Sequence, residues 1–184
     1  MPNRQPVTVY ICLGSNQGDT DANLERAVAA IAALSGLTVE KRSSVYRTEP
    51  QEKKNQPWFA NQVLRCRCSG WTPAALMQSL LDCETALGRV RDVADPADRF
   101  GPRVIDIDLL LFADVESSSS LVTLPHPRMW QRAFVLVPLL EVYEEPEDVT
   151  SVSADRQNSL FSAGAIRSRL AQLQFRVERD CIWQ

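Results

Sequence analysis

The sequence predicts an α+β fold whose elements run in the order β-α-β-β-α-β. Three observations carry this. A β-branched run, "VTVYICLG" (7–14), ends at a glycine near the start of the chain. Two later stretches repeat apolar residues at helical spacing, and each is stopped by a glycine. Three further runs read as strands, the last of them "RVIDIDLLLF" (103–112). That order is the split arrangement of ferredoxin-like folds, here extended by a C-terminal strand and helices.

The first strand leads into a polar turn, "SNQGDTDAN". Leu24, Ala27, Val28, Ile31 and Leu34 then follow at i, i+3, i+4, i+7 and i+10, an amphipathic helix closed by Gly36. Residues 37–48 alternate loosely as one second strand. "EPQEKKNQP" is a loop by composition, and residues 58–68 form a third strand, paired with the second as a wide hairpin. Thr72 and Pro73 supply an N-cap and a first-turn proline for a helix with the stripe Leu76, Leu80, Cys83 and Leu87, ending at Gly88. A loop with charges of both signs precedes the fourth strand. Beyond it are expected a turn at "ADVESSSS", a short strand near "LVTLP", a mixed segment "RMWQRAFVLVPLLEV" and a helix around Ser159 to Leu173. The segment after Glu144 carries no motif.

The chain of 184 residues suits one domain with a good core. Its net charge of −3 gives no overall pull toward nucleic acid or an anionic membrane. Of 20 basic residues only Lys41, Lys53 and Lys54 are lysine, and the arginines that remain are the better bidentate partners for phosphate. Five cysteines with no C-x-x-C read as small buried hydrophobes. "MPNRQP" has no apolar signal core and no run is long enough to span a membrane, so a cytoplasmic protein is expected. A monomer is the default expectation, which no pattern in the sequence derives.

Asp106 and Asp108 sit two residues apart in the fourth strand and so share one face. D-x-D alone is equally a solvated edge strand. Leu109 to Phe112, however, are apolar on both faces, as in a central covered strand. Two carboxylates there would repel each other, and burial would penalise both. A divalent cation answers both problems, and Mg²⁺ completes its shell with waters and substrate phosphates. Arg89, Arg91, Arg99 and Arg103 lie just before the pair, where a triphosphate wants cations. On an ideal strand Arg103 faces away from Asp106, so a bend near Pro102 is required. His126, the only histidine, is either a structural side chain between prolines or, with Arg132, the far side of a phosphate site. No Walker A loop, dinucleotide fingerprint or protein-kinase set is present.

"GSN" (14–16), "YRTEP" (46–50), "FAN" (59–61), "LGRVR" (87–91), "FGPRVIDIDLLLF" (100–112) and "LPHPRMWQRAFVLVPL" (124–139) follow one another in order. Together, over roughly Val7 to Val142, they resemble the 6-hydroxymethyl-7,8-dihydropterin pyrophosphokinases of folate biosynthesis. The resemblance implies transfer of pyrophosphate from ATP to the hydroxymethyl group of the dihydropterin, with release of AMP. It implies two Mg²⁺ ions on Asp106 and Asp108, and Arg89 and Arg103 on the transferred group. Glu84, Arg91, Arg99, Thr123, His126 and Arg132 would surround ATP. Thr48, Phe59, Asn61, Phe100 and Phe134 would hold the pterin, although Phe59 and Phe134 on their own residues read as core. The chain departs from the family in an inserted "DVADPAD", in "QEKKN" where a glycine is common, and in Phe100 where tryptophan is frequent. Two other readings remain: a non-catalytic ferredoxin-like ligand-binding module, and a phosphoryl- or nucleotidyltransferase of different specificity.

Overall fold

A computed structural model describes residues 5–51, 54–90, 101–144 and 162–184. The strands are β1 (Val7–Ser15), β2 (Leu37–Arg42), β3 (Tyr46–Thr48), β4 (Phe59–Cys68), β5 (Asp106–Phe112), β6 (Ser117–Ser118), β7 (Thr123–Leu124), β8 (Arg176–Glu178) and β9 (Cys181–Trp183). The helices are α1 (Thr20–Ala32), α2 (Pro73–Ala86), α3 (Ala133–Val142) and α4 (Ala163–Leu170), with a 3-10 turn at Met129–Gln131.

The main sheet runs β5-β1-β4-β3-β9-β8, and β2 also pairs with β4. β1 lies antiparallel between β4 and β5, which is the ferredoxin-like order. Alternation along β1 divides the interior in two. Val9, Ile11 and Leu13 pack with Leu24, Ile31, Leu76 and Leu80 of α1 and α2. Tyr10 and Cys12 pack on the other face with Leu136 and Leu139 of α3 and Ile166 of α4. The sheet is therefore covered on both sides. Ile107 is fully buried in the first layer, where truncation to alanine would cost about 2–5 kcal/mol.

The predicted cap of α2 is found: Thr72 accepts from the Ala75 N–H at 3.2 Å. α1 is capped by Asp19, within the stretch expected as turn, which accepts from the Ala22 N–H at 3.0 Å. Gly36 has φ +79°, and a Cβ there would stand 2.4 Å from the Ser69 carbonyl oxygen, so glycine is required.

Four expectations are corrected. The second strand is not continuous: β2 and β3 both pair with β4, but residues 43–45 leave the sheet. At the break the Ser43 hydroxyl accepts from the Val63 N–H at 2.9 Å, and Gln62 Nε2 donates to the Ser43 carbonyl at 2.8 Å, so side chains replace the ladder. The fourth strand starts at Asp106 instead of Arg103, and it is the sheet's edge strand, not a central one. Its outer margin is met by the His126 N–H, which donates to the Leu110 carbonyl at 2.9 Å. Ser117–Ser118, expected as turn, pairs with Thr123–Leu124 as a small hairpin. Finally, the segment after Glu144 ends in a hairpin, β8–β9, that no sequence pattern announced, and β9 adds to the main sheet parallel to β3. The helix expected at Ser159–Leu173 is α4, capped by Ser162; residues 159–161 lie outside the described residues. No helix among the described residues is long and apolar enough to cross a membrane.

Candidate active site

The strand register assembles the site. Gly14 of β1 pairs with Asn61 of β4 on one side and Asp106 of β5 on the other. Directly opposed residues share a face, so Asn61, Gly14 and Asp106 form one row across three strands, its ends about 10 Å apart. Two residues further along, Cys12 pairs with Asp108 in a parallel row on the same face. Gly14 keeps the row's centre low: a Cβ there would come within 3.2 Å of Asn61 Oδ1. Above the rows lies a cleft of about 350 Å³ lined by Thr48, Phe59, Asn61, Arg89, Arg103, Asp106, Asp108, Arg132 and Phe134, among others.

At the carboxylate end Asp106 receives two arginines. Arg103 Nη1 donates to Oδ2 at 2.8 Å, and Arg89 makes an ion pair with Oδ1. The bend expected before the strand exists. Residues 101–105 precede β5, the Arg103 N–H donates to Asn16 Oδ1 at 2.8 Å, and the guanidinium sits 5.4 Å over the Phe59 ring. Arg89 is mostly buried, which works against its charge. The Asp106 and Glu84 carboxylates more than offset that and hold its pKa above the ordinary value. Among the described residues Asp108 has no such arginine pair; His126 Nε2 lies 3.9 Å from its Oδ1. Burial first, and then the charge of Asp106, push the Asp108 carboxyl up to about 7. The same surroundings raise the Cys12 thiol, chiefly by burial and then by the two carboxylates, so it stays protonated. His126 is driven down to about 4 by burial and by Arg132 and Arg128, and its Nδ1 is buried with no hydrogen-bond partner. Near neutral pH it is an uncharged imidazole.

The other end is neutral and satisfied. Asn61 Nδ2 donates to the Thr48 hydroxyl at 2.7 Å, both residues being buried. Phe59 and Phe134 line the cleft, Phe134 also packing against the α3-side core, and Arg132 lies 5.4 Å over the Phe134 ring.

Three expected residues do not line the cleft, and one of them, His126, stands behind Asp108. Glu84, 1% exposed, lies beneath it, accepting from the Ile107 N–H at 2.6 Å and from Arg89 Nη1 at 3.0 Å. It fixes the start of β5 and the direction of Arg89. Thr123 is exposed on the small hairpin, its hydroxyl turned to the Ser119 carbonyl, and Leu121 lines the cleft from that hairpin instead. Arg91, Arg99 and Phe100 lie outside the described residues.

Two residues were overlooked. Arg128 lines the cleft, and its place two residues after His126 in "PHPR" was the available signal. Asn16 donates through Nδ2 to Gln56 Oε1 at 3.1 Å and to the Pro57 carbonyl at 3.0 Å, while its backbone N–H donates to the Arg103 carbonyl. It ties the segment before β4 to the segment before β5.

Chemically, the cleft sets arginines around a carboxylate pair at one end and an amide, a hydroxyl and two aromatic rings at the other. The sequence pattern of the family described as 7,8-dihydro-6-hydroxymethylpterin-pyrophosphokinase (HPPK) matches residues 10–144, and the chain belongs to that family. A 2-amino-4-hydroxy-6-hydroxymethyldihydropteridine pyrophosphokinase of Bacillus subtilis (strain 168) is 38% identical over 149 residues, covering 80% of this chain and 86% of the relative. One of the same name from Methylorubrum extorquens is 44% identical over 133 residues, 72% of this chain and 80% of the relative. Among solved structures, an HPPK-DHPS crystal structure in complex with substrates superposes with TM-score 0.58 at 13% identity, covering 97% of this chain and 48% of that one. Plasmodium falciparum HPPK-DHPS gives TM-score 0.60 at 11% identity, over 92% of this chain and 44% of the other. The chain thus spans a little under half of these longer structures, and at such identities they speak for the fold alone.

Proposed function

We propose that this protein transfers a pyrophosphoryl group from ATP to the hydroxymethyl group of 6-hydroxymethyl-7,8-dihydropterin, the step named by its relatives in folate synthesis. The observation that carries the reading is the row Asn61–Gly14–Asp106, which sets a neutral hydrogen-bonding pocket beside a carboxylate pair ringed with arginines.

The donor set fits Mg²⁺. No group of three or more histidine, cysteine, aspartate or glutamate side chains suited to a metal occurs among the described residues. Two carboxylates on one strand face leave most of a coordination shell to water and phosphate oxygens, as Mg²⁺ prefers. The raised pKa of Asp108 marks negative charge in want of a cation. Asp106 and Asp108 would hold the metal, two ions by the family resemblance, and bound metal would neutralise phosphate charge and help align the reacting groups.

The chain's own residues do the rest. Asn61 and the backbone near Thr48 read the edge of the pterin, with Phe59 and Phe134 beside its faces. This points the hydroxymethyl oxygen along the row toward Asp106. The oxygen attacks the β-phosphorus, the bond from that phosphorus to the α-phosphate oxygen breaks, and AMP leaves. Arg89 and Arg103 take the charge of the group in flight, with directions already fixed by Glu84, Asp106 and Asn16. Arg128, Arg132 and neutral His126 bind the remaining nucleotide oxygens.

The test is the nucleotide product when protein, ATP, Mg²⁺ and the dihydropterin are mixed. AMP formed in step with pterin diphosphate is expected. ADP would mean ordinary phosphoryl transfer, and no turnover would mean a binding module. Equilibrium titration of Mg²⁺ with a non-hydrolysable ATP analogue checks the metal count, which Asp106→Ala and Asp108→Ala should each reduce.

A further inference from the structure

The start of α3 carries two proposed ligand-binding residues, Arg132 and Phe134, yet it has no cap of its own. Arg132 occupies the N-cap position and makes no side-chain hydrogen bond to the helix. A helix start with unsatisfied N–H groups is a poorly fixed wall for a binding site. The missing acceptor comes from the far end of the described chain. Gln184 Oε1 accepts from the Ala133 N–H at 2.7 Å, and Gln184 Nε2 donates to the Gln131 carbonyl at 2.7 Å. One amide thus grips both sides of the joint between the 3-10 turn and α3.

The backbone of Gln184 holds the opposite wall. Its N–H donates to Glu49 Oε1 at 3.1 Å, and its carbonyl accepts from Gln51 Nε2 at 3.3 Å. Glu49 and Gln51 line the cleft next to Thr48. The sheet brings this about: β9 pairs parallel with β3, Thr48 opposite Ile182, so the chain leaves the sheet two residues later beside Glu49. Trp183 adds an edge-on contact with Trp58, ring centres 5.6 Å apart, immediately before Phe59.

From this convergence we infer that Gln184 is a positioning residue for the pterin half of the site, clamping the Thr48–Gln51 wall to the Ala133–Phe134 wall. The inference rests on the proposed function for the identity of the ligand. Its contribution falls mainly on pterin affinity, because Thr48, Phe59 and Phe134 all adjoin the clamp. Of the side chains proposed for the nucleotide, Arg132 alone sits in the gripped joint, between Gln131 and Ala133, while Arg89, Arg103 and the β5 carboxylates stand on other elements. Losing a helix cap and a bridging hydrogen bond in the site corresponds to about a five- to tenfold change in a binding constant.

The experiment uses the full chain with Gln184→Leu, which keeps the volume but neither hydrogen bond, and Gln184→Glu, which keeps the acceptor for the Ala133 N–H at a helix start that favours negative charge. Dissociation constants are measured for 6-hydroxymethyl-7,8-dihydropterin and for a non-hydrolysable ATP analogue with Mg²⁺, alongside thermal unfolding. The clamp predicts that Leu weakens the pterin about five- to tenfold, leaves the nucleotide within about twofold, and that Glu restores much of the loss. Unchanged pterin binding in the Leu variant overturns the inference. So does an equal loss for both ligands accompanied by a lower unfolding temperature, which would mean a general brace. If the wild-type protein binds no pterin, the proposed function fails first, and that result is separable from the behaviour of Gln184.

Discussion

At the Asn61 end of the cleft the polar groups already have partners: the Asn61 amide donates to Thr48, and the segment before β4 is tied down by Asn16. At the other end Asp106 is paired with arginines, but among the described residues Asp108 and the His126 Nδ1 are not so matched. A carboxylate crowded by its neighbour has its pKa raised to about 7, and a buried imidazole nitrogen has nothing to bond. The first end needs only a ring of matching shape and edge. The second stores an electrostatic conflict that a metal–nucleotide complex would relieve. Stability and function therefore coincide at the neutral end and oppose each other at the charged end.

The largest effect should come from Asp108→Asn. Turnover is expected to fall on the order of 10³-fold or more, as when a charge-stabilising group is removed from phosphoryl transfer. The same variant should unfold at a higher temperature than wild type at pH 8. The sign follows from the raised pKa: the native state holds its proton between the ordinary value of 3.8 and about 7, so ionisation penalises the fold increasingly across that window. The side chain is 35% exposed, so solvent screening reduces the penalty to roughly 1–2 kcal/mol. The stability difference between variant and wild type should vanish near pH 4 and be complete above pH 7. A variant whose advantage over wild type is no larger at pH 8 than at pH 4 would break the contrast.

Glu84→Ala should do the reverse. This carboxylate is buried beneath the cleft with Arg89 and the Ile107 N–H as partners. Removing it leaves the buried Ile107 N–H without its acceptor and Arg89 with Asp106 as its remaining carboxylate, at a cost of about 1–3 kcal/mol. Chemical denaturation would show it, and Asp108→Ala should show no comparable loss. At the neutral end, Asn61→Ala should raise the pterin KM about tenfold, with the smaller change in kcat, and lower stability by only about 1 kcal/mol for the hydrogen bond to Thr48.

How far the sequence could be read depended on the range of the interactions. The helix start at Thr72, stops at glycines and the shared face of Asp106 and Asp108 follow from local spacing, and they were legible. The break at Ser43 was not, because its cause is a hydroxyl and a glutamine amide replacing backbone partners across to β4. The β8–β9 hairpin was illegible for a similar reason. Its strands are three residues long, with no alternation to speak of, and are fixed by pairing Thr48 with Ile182 across the whole chain. In the site, the family motif placed Asn61, Arg89 and Arg132 at the cleft. Spacing could not show that Glu84 faces inward or that Thr123 turns to its own hairpin.

The smallest expected change is at His126, where the prediction is that almost nothing happens near neutral pH. Its pKa is lowered from 6.5 to about 4, so the unfolded chain binds a proton in that window and the native state does not. Stability from this group is fully present above 6.5 and is lost as the pH falls toward 4. Asp108 has the opposite slope over nearly the same range, so the two partly cancel in the wild-type protein, and Asp108→Asn should expose the histidine's dependence alone. Because the chain has a single histidine, one imidazole C–H resonance followed by NMR reports it without ambiguity. It should show only a small step near pH 7, as the neighbouring Asp108 ionises, and make the full imidazolium shift only as the pH approaches 4. A full-amplitude imidazolium shift near 6.5 would mean a charged imidazole beside Asp108 at moderately acidic pH, and the charged end of the cleft would then supply its own counter-ion, with no unmet demand for a metal.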